Sequence, residues 1–216
     1  MANLLNRISE ELAAIVARVR PSLVQIRHGP AGSPRGAAAG TIWHPEGLIV
    51  TNAHVVAGPR GRADVPLEVV LADGRTLPAR ILAQDASLDL AALRVSAHGL
   101  PAIPLADSRR LRPGELVLSL GFPWGVTGGA TVGVVIGTGS ELPELAHSGR
   151  EWVAASLHLR PGHSGGPMLD SRGRLVGLNT LMNGPEVGVA VPVHVAVAFL
   201  KTHLGRSPAV PPPALV

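Results

Sequence analysis

The stretch Arg160-Pro161-Gly162-His163-Ser164-Gly165-Gly166-Pro167 says more about this chain than any other eight residues in it. Its glycines crowd around one serine, so backbone N–H groups can come close to whatever the serine hydroxyl attacks. A serine hydroxyl is a weak nucleophile until a base takes its proton and N–H donors receive the charge that forms on a carbonyl oxygen. Gly162 can bring its N–H to that oxygen unshielded by a side chain. Gly162, His163 and Ser164 are therefore the candidate oxyanion segment.

Two further segments supply a base and an acid. Thr51-Asn52-Ala53-His54-Val55-Val56 places His54 directly after a β-rich run, and Ser87-Leu88-Asp89-Leu90-Ala91-Ala92-Leu93 sets Asp89 among apolar neighbours. The chain order His, Asp, Ser is one of the orders in which a nucleophile, base and acid triad occurs. Together the three segments resemble the trypsin-like serine proteases, and within them the HtrA (Deg) family. Ala106-Asp107-Ser108 through Leu111, Gly114-Glu115, Gly121-Phe122-Pro123, Thr131-Val132-Gly133-Val134-Val135 and Gly173 through Leu178-Asn179-Thr180 look like HtrA segments in the same order, so the resemblance runs over about residues 15–200. It implies Ser164 as nucleophile, His54 as general base and acid, and Asp89 as the group that orients the imidazole. Asp85 is the rival acid; Asp-Leu-Ala followed by an apolar pair favours Asp89, and Asp85 reads as a turn residue.

The texture of the chain agrees with an all-β architecture. From Val24 onward, short β-branched runs such as Thr41-Ile42-Trp43, Leu48-Ile49-Val50, Leu67 to Leu71 and Glu115 to Leu120 alternate with Gly and Pro. That spacing reads as barrel strands. Asp73-Gly74 reads as a hairpin turn, and Gly29-Pro30 through Gly40, rich in Gly, Ala and Pro, as a mobile loop. Before the strands, Leu4, Leu5, Ile8, Leu12, Ile15, Val16 and Val19 recur at helical spacing. After them, His194 to His203 reads as a short closing helix. The expected fold is a chymotrypsin/trypsin-like double β-barrel with an N-terminal helix and a short C-terminal helix. Its expected parts are residues 1–20 (helix), 21–107 (first barrel, His/Asp), 108–205 (second barrel, Ser) and 206–216 (disordered Pro-rich tail), with Ala106 to Gly114 as the crossover.

Composition excludes several function classes. With 216 residues, 46% of them hydrophobic, the chain can bury a substantial core. It has no cysteine, so it needs no disulfide and suits a reducing or an oxidising compartment. The sequence pI of 11.1 reflects arginine's high pKa rather than a large charge excess, since the net charge is only +4. With no tyrosine, two phenylalanines and scattered basic residues, no nucleic-acid partner is expected. Glu10 and Glu11 interrupt the first apolar stripe, so neither a signal-peptide core nor an integral membrane segment is expected there. HtrA relatives usually carry a leader, so the chain reads as cytoplasmic, or as periplasmic or secreted if a leader was removed. The resemblance also leaves no residues for a PDZ domain. It makes a homotrimer formed through the N-terminal segment compatible with the chain, although this segment is aliphatic where the family's is aromatic.

Three departures from the family bear on the site. Arg160 and His163 stand where HtrA proteases have asparagines, and either they influence the order of the oxyanion loop or they are two solvated side chains. His158, six residues before the serine, occupies the base of the primary pocket in trypsin-like enzymes, where HtrA members have a small residue. A zinc site from His158 and His163 would lack a third ligand, so no metal and no cofactor is expected. His158, Leu159, Leu178, Asn179 and Thr180 form the expected substrate pocket, with Val189-Ala190-Val191 opposite. Such walls favour cleavage after small aliphatic residues, which are reachable only in unfolded polypeptides. The expected function is thus a quality-control serine endopeptidase. A non-proteolytic holdase or scaffold on the same fold, and a dedicated processing protease, are the alternatives.

Overall fold

A computed structural model describes residues 2–29, 35–57, 66–140 and 149–205. Twelve strands form two closed antiparallel barrels, ordered β1-β2-β3-β6-β5-β4 and β10-β11-β12-β9-β8-β7. The first comprises β1 (Leu23–His28), β2 (Arg35–His44), β3 (Leu48–Thr51), β4 (Leu67–Val70), β5 (Thr76–Asp85) and β6 (Leu90–Val95). The second comprises β7 (Leu116–Gly121), β8 (Gly129–Gly139), β9 (Trp152–Ala155), β10 (Pro167–Asp170), β11 (Leu175–Met182) and β12 (Gly188–Pro192). Followed from its own first strand, each barrel has the same order, 1-2-3-6-5-4, so one connectivity is used twice. The expected double barrel is what forms.

The side-chain alternation of a strand explains why several strands are apolar on both faces. In β3, Ile49 enters the interior of the first barrel with Val24, Ile26, Ile42 and Leu93, whereas Leu48 and Val50 face a second cluster shared with the other barrel. In β6, Ala91 and Leu93 point inward while Leu90 and Ala92 join that shared cluster. Leu118, Leu120, Leu169, Leu178, Val189 and Val191 of the second barrel complete the seam. Its interior is separate, built from Val117, Val135, Val153, Met168 and Val176.

The first and last helices cap this seam. α1 (Ala2–Val19) buries only its last turns: Ile15 and Val19 join the seam cluster, while Leu4, Leu5 and Ile8 stay exposed, so the apolar stripe read from the sequence is half used. A short helix, α2 (Ala53–Val56), follows β3, and α3 (Val193–Leu204) packs Val193, Ala196, Phe199 and Leu200 into the seam cluster. Between the barrels the chain makes one 3-10 turn, Ser108–Arg110, capped by the Asp107 side chain. Among the described residues no helix is long and apolar enough to cross a membrane.

The reading of Gly29 to Gly40 as a loop needs correction. Residues 35–40 belong to β2, with Ala38, Ala39 and Gly40 paired to Ile26, Gln25 and Val24. Small residues are there because the space is full: a Cβ on Gly40 would sit 2.9 Å from Ile26 Cδ1 and 3.0 Å from Ile49 Cγ2. Residues 30–34, and the tail at 206–216 expected to be disordered, lie outside the described residues. The Asp73-Gly74 turn forms as expected, with Gly74 at φ +89° and its N–H donating to the Leu71 carbonyl.

Candidate active site

Strand pairing brings the expected base and acid together. β3 and β6 are antiparallel, with Thr51 opposite Ala91, so the end of β3 lies beside the start of β6. His54 follows β3 on α2, and Asp89 immediately precedes β6. His54 Nδ1 is 3.0 Å from both Asp89 carboxylate oxygens, and the His54 backbone N–H donates to Oδ1 at 3.1 Å. Asp89 itself has φ +54°, a left-handed conformation uncommon for a residue with a side chain. The buried Asn52 holds it there by donating its side-chain amide to the Asp89 carbonyl at 3.1 Å.

The second barrel supplies the nucleophile loop and a further donor. Ser164 precedes β10, and Gly165 N–H to the Asn179 carbonyl (2.8 Å) together with Asn179 N–H to the Gly166 carbonyl (2.9 Å) tie the loop to β11. From the first barrel, Ala39 N–H donates to the Ser164 carbonyl at 2.9 Å, and the Thr41 hydroxyl to the Gly165 carbonyl at 3.2 Å. Thr180 on β11 touches both functional groups. Its hydroxyl donates to Asp89 Oδ2, and its carbonyl accepts the Ser164 hydroxyl at 3.3 Å. Burial by itself would raise the Asp89 pKa; hydrogen bonds from the His54 ring, the Thr180 hydroxyl and the His54 N–H outweigh it and hold the carboxyl below its ordinary value. Asp85 is occupied elsewhere, accepting from Ser87 N–H, the Ser87 hydroxyl and Leu88 N–H within its own turn.

Ahead of Ser164 the chain makes a tight turn from Arg160 to His163, closed by His163 N–H donating to the Arg160 carbonyl at 2.9 Å. Gly162 sits in it at φ +106°, and a Cβ there would meet the Phe122 carbonyl oxygen at 2.3 Å. Only glycine fits both the angle and the space. The Gly162 carbonyl accepts Phe122 N–H at 2.9 Å, while the N–H groups of Gly162 and Ser164 have no protein acceptor among the described residues. Two donors left open on the same short segment as a serine hydroxyl are what an oxyanion site requires.

The remaining expected residues are placed as follows. Leu159 is buried in the interior of the second barrel and its N–H contacts Met182 Sδ at 3.0 Å. Leu178 and Val189 are fully buried in the seam. The Asn179 amide is spent inside the barrel, accepting from Ser119 Oγ at 2.8 Å and donating to the Leu120 and Pro167 carbonyls. The side chains of Leu178, Val189 and Asn179 are therefore not free to meet a ligand. His158 turns to the loop before β12, with Nδ1 3.0 Å from the Pro185 carbonyl and 3.6 Å from Glu186 Oε1. His163 is buried, so it is not a solvated side chain. Arg160 lays its guanidinium over the Trp124 ring, 4.5 Å from the centroid. Among the described residues no group of three His, Cys, Asp or Glu is placed to hold a metal ion.

This geometry has known counterparts. A profile described as the trypsin-like peptidase domain matches residues 38–178. The chain belongs to the trypsin-like peptidase family. It is 38% identical over 170 residues to Protease Do-like 1, chloroplastic, of Arabidopsis thaliana, covering 74% of this chain and 37% of that protein. It is 34% identical over 201 residues to the mitochondrial serine protease HTRA2 of Drosophila pseudoobscura pseudoobscura, covering 88% and 46% respectively. Among solved structures, HtrA-type protease AlgW with decapeptide superposes with a TM-score of 0.77 at 25% identity, covering 90% of this chain and 67% of that one. The HtrA resemblance read from the sequence is therefore borne out, and the chain spans less than half the length of the curated relatives described.

Proposed function

We propose that this trypsin-like peptidase chain is a serine endopeptidase that cuts unfolded polypeptides, as the HtrA-type relatives are serine proteases by name. The observation that carries the reading is that Thr180 links the bonded His54–Asp89 pair to Ser164, next to two unclaimed N–H groups. His54 takes the Ser164 proton as Oγ attacks the scissile carbonyl and later gives it to the leaving amine. Asp89, bonded to Nδ1, keeps the base nitrogen Nε2 facing the serine and stabilises the imidazolium. Gly162 and Ser164 N–H receive the charge on the carbonyl oxygen.

Ser164 Oγ donates to the Thr180 carbonyl, so attack requires the hydroxyl to leave that bond for His54. Side-chain rotations take picoseconds to nanoseconds at accessible positions and do not limit turnover. The preference for small aliphatic residues is carried over from the family resemblance, and His158 does not oppose it with a free charge, because it is engaged with Pro185 and Glu186.

A fluorophosphonate probe tests the reading. It should label Ser164 alone, and Ser164→Ala should remain folded, fail to label and fail to cut unfolded casein. Cleavage by that variant at the wild-type rate refutes the mechanism. A wild-type protein that binds casein without labelling or cutting it would instead be the non-proteolytic holdase.

A further inference from the structure

His163 lies between the two oxyanion N–H groups in sequence, yet its side chain turns inward and is only 2% exposed. Its ring and its backbone grip the same residue. Arg160 N–H donates to His163 Nδ1 at 3.0 Å, and His163 N–H donates to the Arg160 carbonyl at 2.9 Å, so both strands of the Gly162 turn are pinned at one point. A ring nitrogen that accepts from an N–H carries no proton. The 3.1 Å approach of Nδ1 to the Arg160 carbonyl then joins two acceptors and adds no bond. The proton of the neutral ring is left on Nε2, a buried atom without a hydrogen-bond partner among the described residues.

We propose that His163 is a positioning residue for the oxyanion turn: its neutral, Nε2-protonated ring holds Arg160 N–H through Nδ1 and thereby aims Gly162 N–H, and protonation of the ring releases the turn. The proposal rests on the serine endopeptidase reading. A proton on Nδ1 would end the bond from Arg160 N–H, leave the ring only the Arg160 carbonyl at 3.1 Å as a partner, and put a cation in a buried site. Two positive or titratable groups face the ring, Arg160 and His158, and both oppose that cation. No carboxylate among the described residues hydrogen-bonds to it. In order of size, burial lowers the His163 pKa, the Arg160 carbonyl partly restores it, and the Arg160 and His158 charges lower it further. With its pKa held below the ordinary value of about 6.5 the ring resists charging, and the contact it makes is intact above that pH and lost as pH falls through the depressed folded value.

The test compares pH profiles of kcat and KM on an unfolded-peptide substrate for wild type, His163→Asn and His163→Leu. Asparagine offers a side-chain oxygen to Arg160 N–H at every pH. It should keep kcat within a few-fold at pH 8 and show a shallower acid limb than wild type, one titrating proton fewer. Leucine offers no acceptor, and kcat should fall at least 10-fold at pH 8 with KM little changed. Ring 15N chemical shifts of His163 in the Ser164→Ala protein, which needs no activity, should report the Nε2-protonated tautomer at pH 8. An Nδ1-protonated ring, or acid limbs that coincide in wild type and His163→Asn, overturns the proposal. If His163→Leu does not fold, the asparagine comparison and the tautomer decide. Failure of the wild-type protein to react with a fluorophosphonate overturns the endopeptidase reading instead, and the tautomer still decides what the ring does.

Discussion

Replacing Thr180 by valine removes one hydroxyl and almost no volume, so its consequences belong to one hydrogen bond. That bond goes to Asp89 Oδ2, on a carboxylate whose side chain is 15% exposed. Hydrogen bonds to charged groups contribute about 1.5–3 kcal/mol, and at about 1.4 kcal/mol per tenfold the loss corresponds to roughly 10- to 100-fold if it falls wholly on the transition state. It should do so in large part, because the imidazolium formed on His54 is stabilised by an ionised, correctly aimed Asp89. The same change shifts the Asp89 pKa upward, since one of the hydrogen bonds that outweigh its burial is gone. Its folded value is depressed, so the stability it confers is present above the unfolded value of about 3.9 and is lost as pH falls through the folded value. In Thr180→Val that loss should be smaller and complete at higher pH. Thr180→Ser restores the donor and should restore both properties. Steady-state kcat/KM on a chromogenic peptide and thermal unfolding from pH 3 to 8 measure the two effects. A valine variant with wild-type kcat/KM and an unchanged pH–stability curve would refute the role given to this hydroxyl.

Other substitutions address other parts of the site. Asp89→Asn should reduce kcat by about 10⁴-fold, the effect of the same change in a trypsin-type triad, with folding retained. Gly121→Ala should lower kcat at least 10-fold, because its Cβ would lie 2.5 Å from the Gly162 carbonyl oxygen and 2.7 Å from His163 Cα, where only movement of the oxyanion turn relieves the clash; an unaltered kcat would show that the turn is not held against β7. His158→Ala should leave the preference for small aliphatic residues intact at pH 8 in a peptide-library profile. Dominant cleavage after Asp or Glu by the wild type at pH 5.5, lost in the variant, would place this imidazole in the pocket despite its contact with Pro185.

What the sequence revealed and what it hid have a common physical basis. Ser164, His54 and Asp89 each sit in a short segment whose neighbouring residues support the functional one, with glycines around Ser164, Asn52 before His54 and apolar strand residues after Asp89. Such segments are legible because their chemistry is contiguous. Thr180 stands 91 residues from the carboxylate it bonds, on a strand of the other barrel, and nothing local marks its hydroxyl as a donor to Asp89. Leu178 and Val189 read as pocket walls because they are aliphatic, yet aliphatic character alone does not distinguish a face turned to substrate from one turned to a second barrel. The alanine-rich start of β2 misled for a related reason: small residues signal close approach as readily as mobility, and the approaching side chains, Ile26 and Ile49, come from both neighbouring strands only once the barrel closes. Trp124, at φ +52° and 78% exposed, gave no sequence signal of its contact with Arg160.

The seam between the barrels therefore acts on catalysis through backbone distances. Gly165 has φ +80°, and a Cβ there would lie 2.1 Å from Thr51 Oγ1 and 2.2 Å from the Ala39 carbonyl, so the nucleophile loop lies in direct contact with the end of β3 and with β2. Thr51, on the strand leading to His54, donates its hydroxyl to that Ala39 carbonyl at 2.8 Å, and Ala39 in turn donates its N–H to the Ser164 carbonyl at 2.9 Å. The strand leading to His54 and the Ser164 loop are thus joined by a chain of two hydrogen bonds through one alanine. A larger side chain along this path would separate the two halves, and a misplacement of about 1 Å between reacting groups can cost about 10²-fold in rate. On the proposed mechanism, the small residues at 38–40, the buried Thr51 and Gly165 would then bear on the chemistry as directly as Ser164, His54 and Asp89 do.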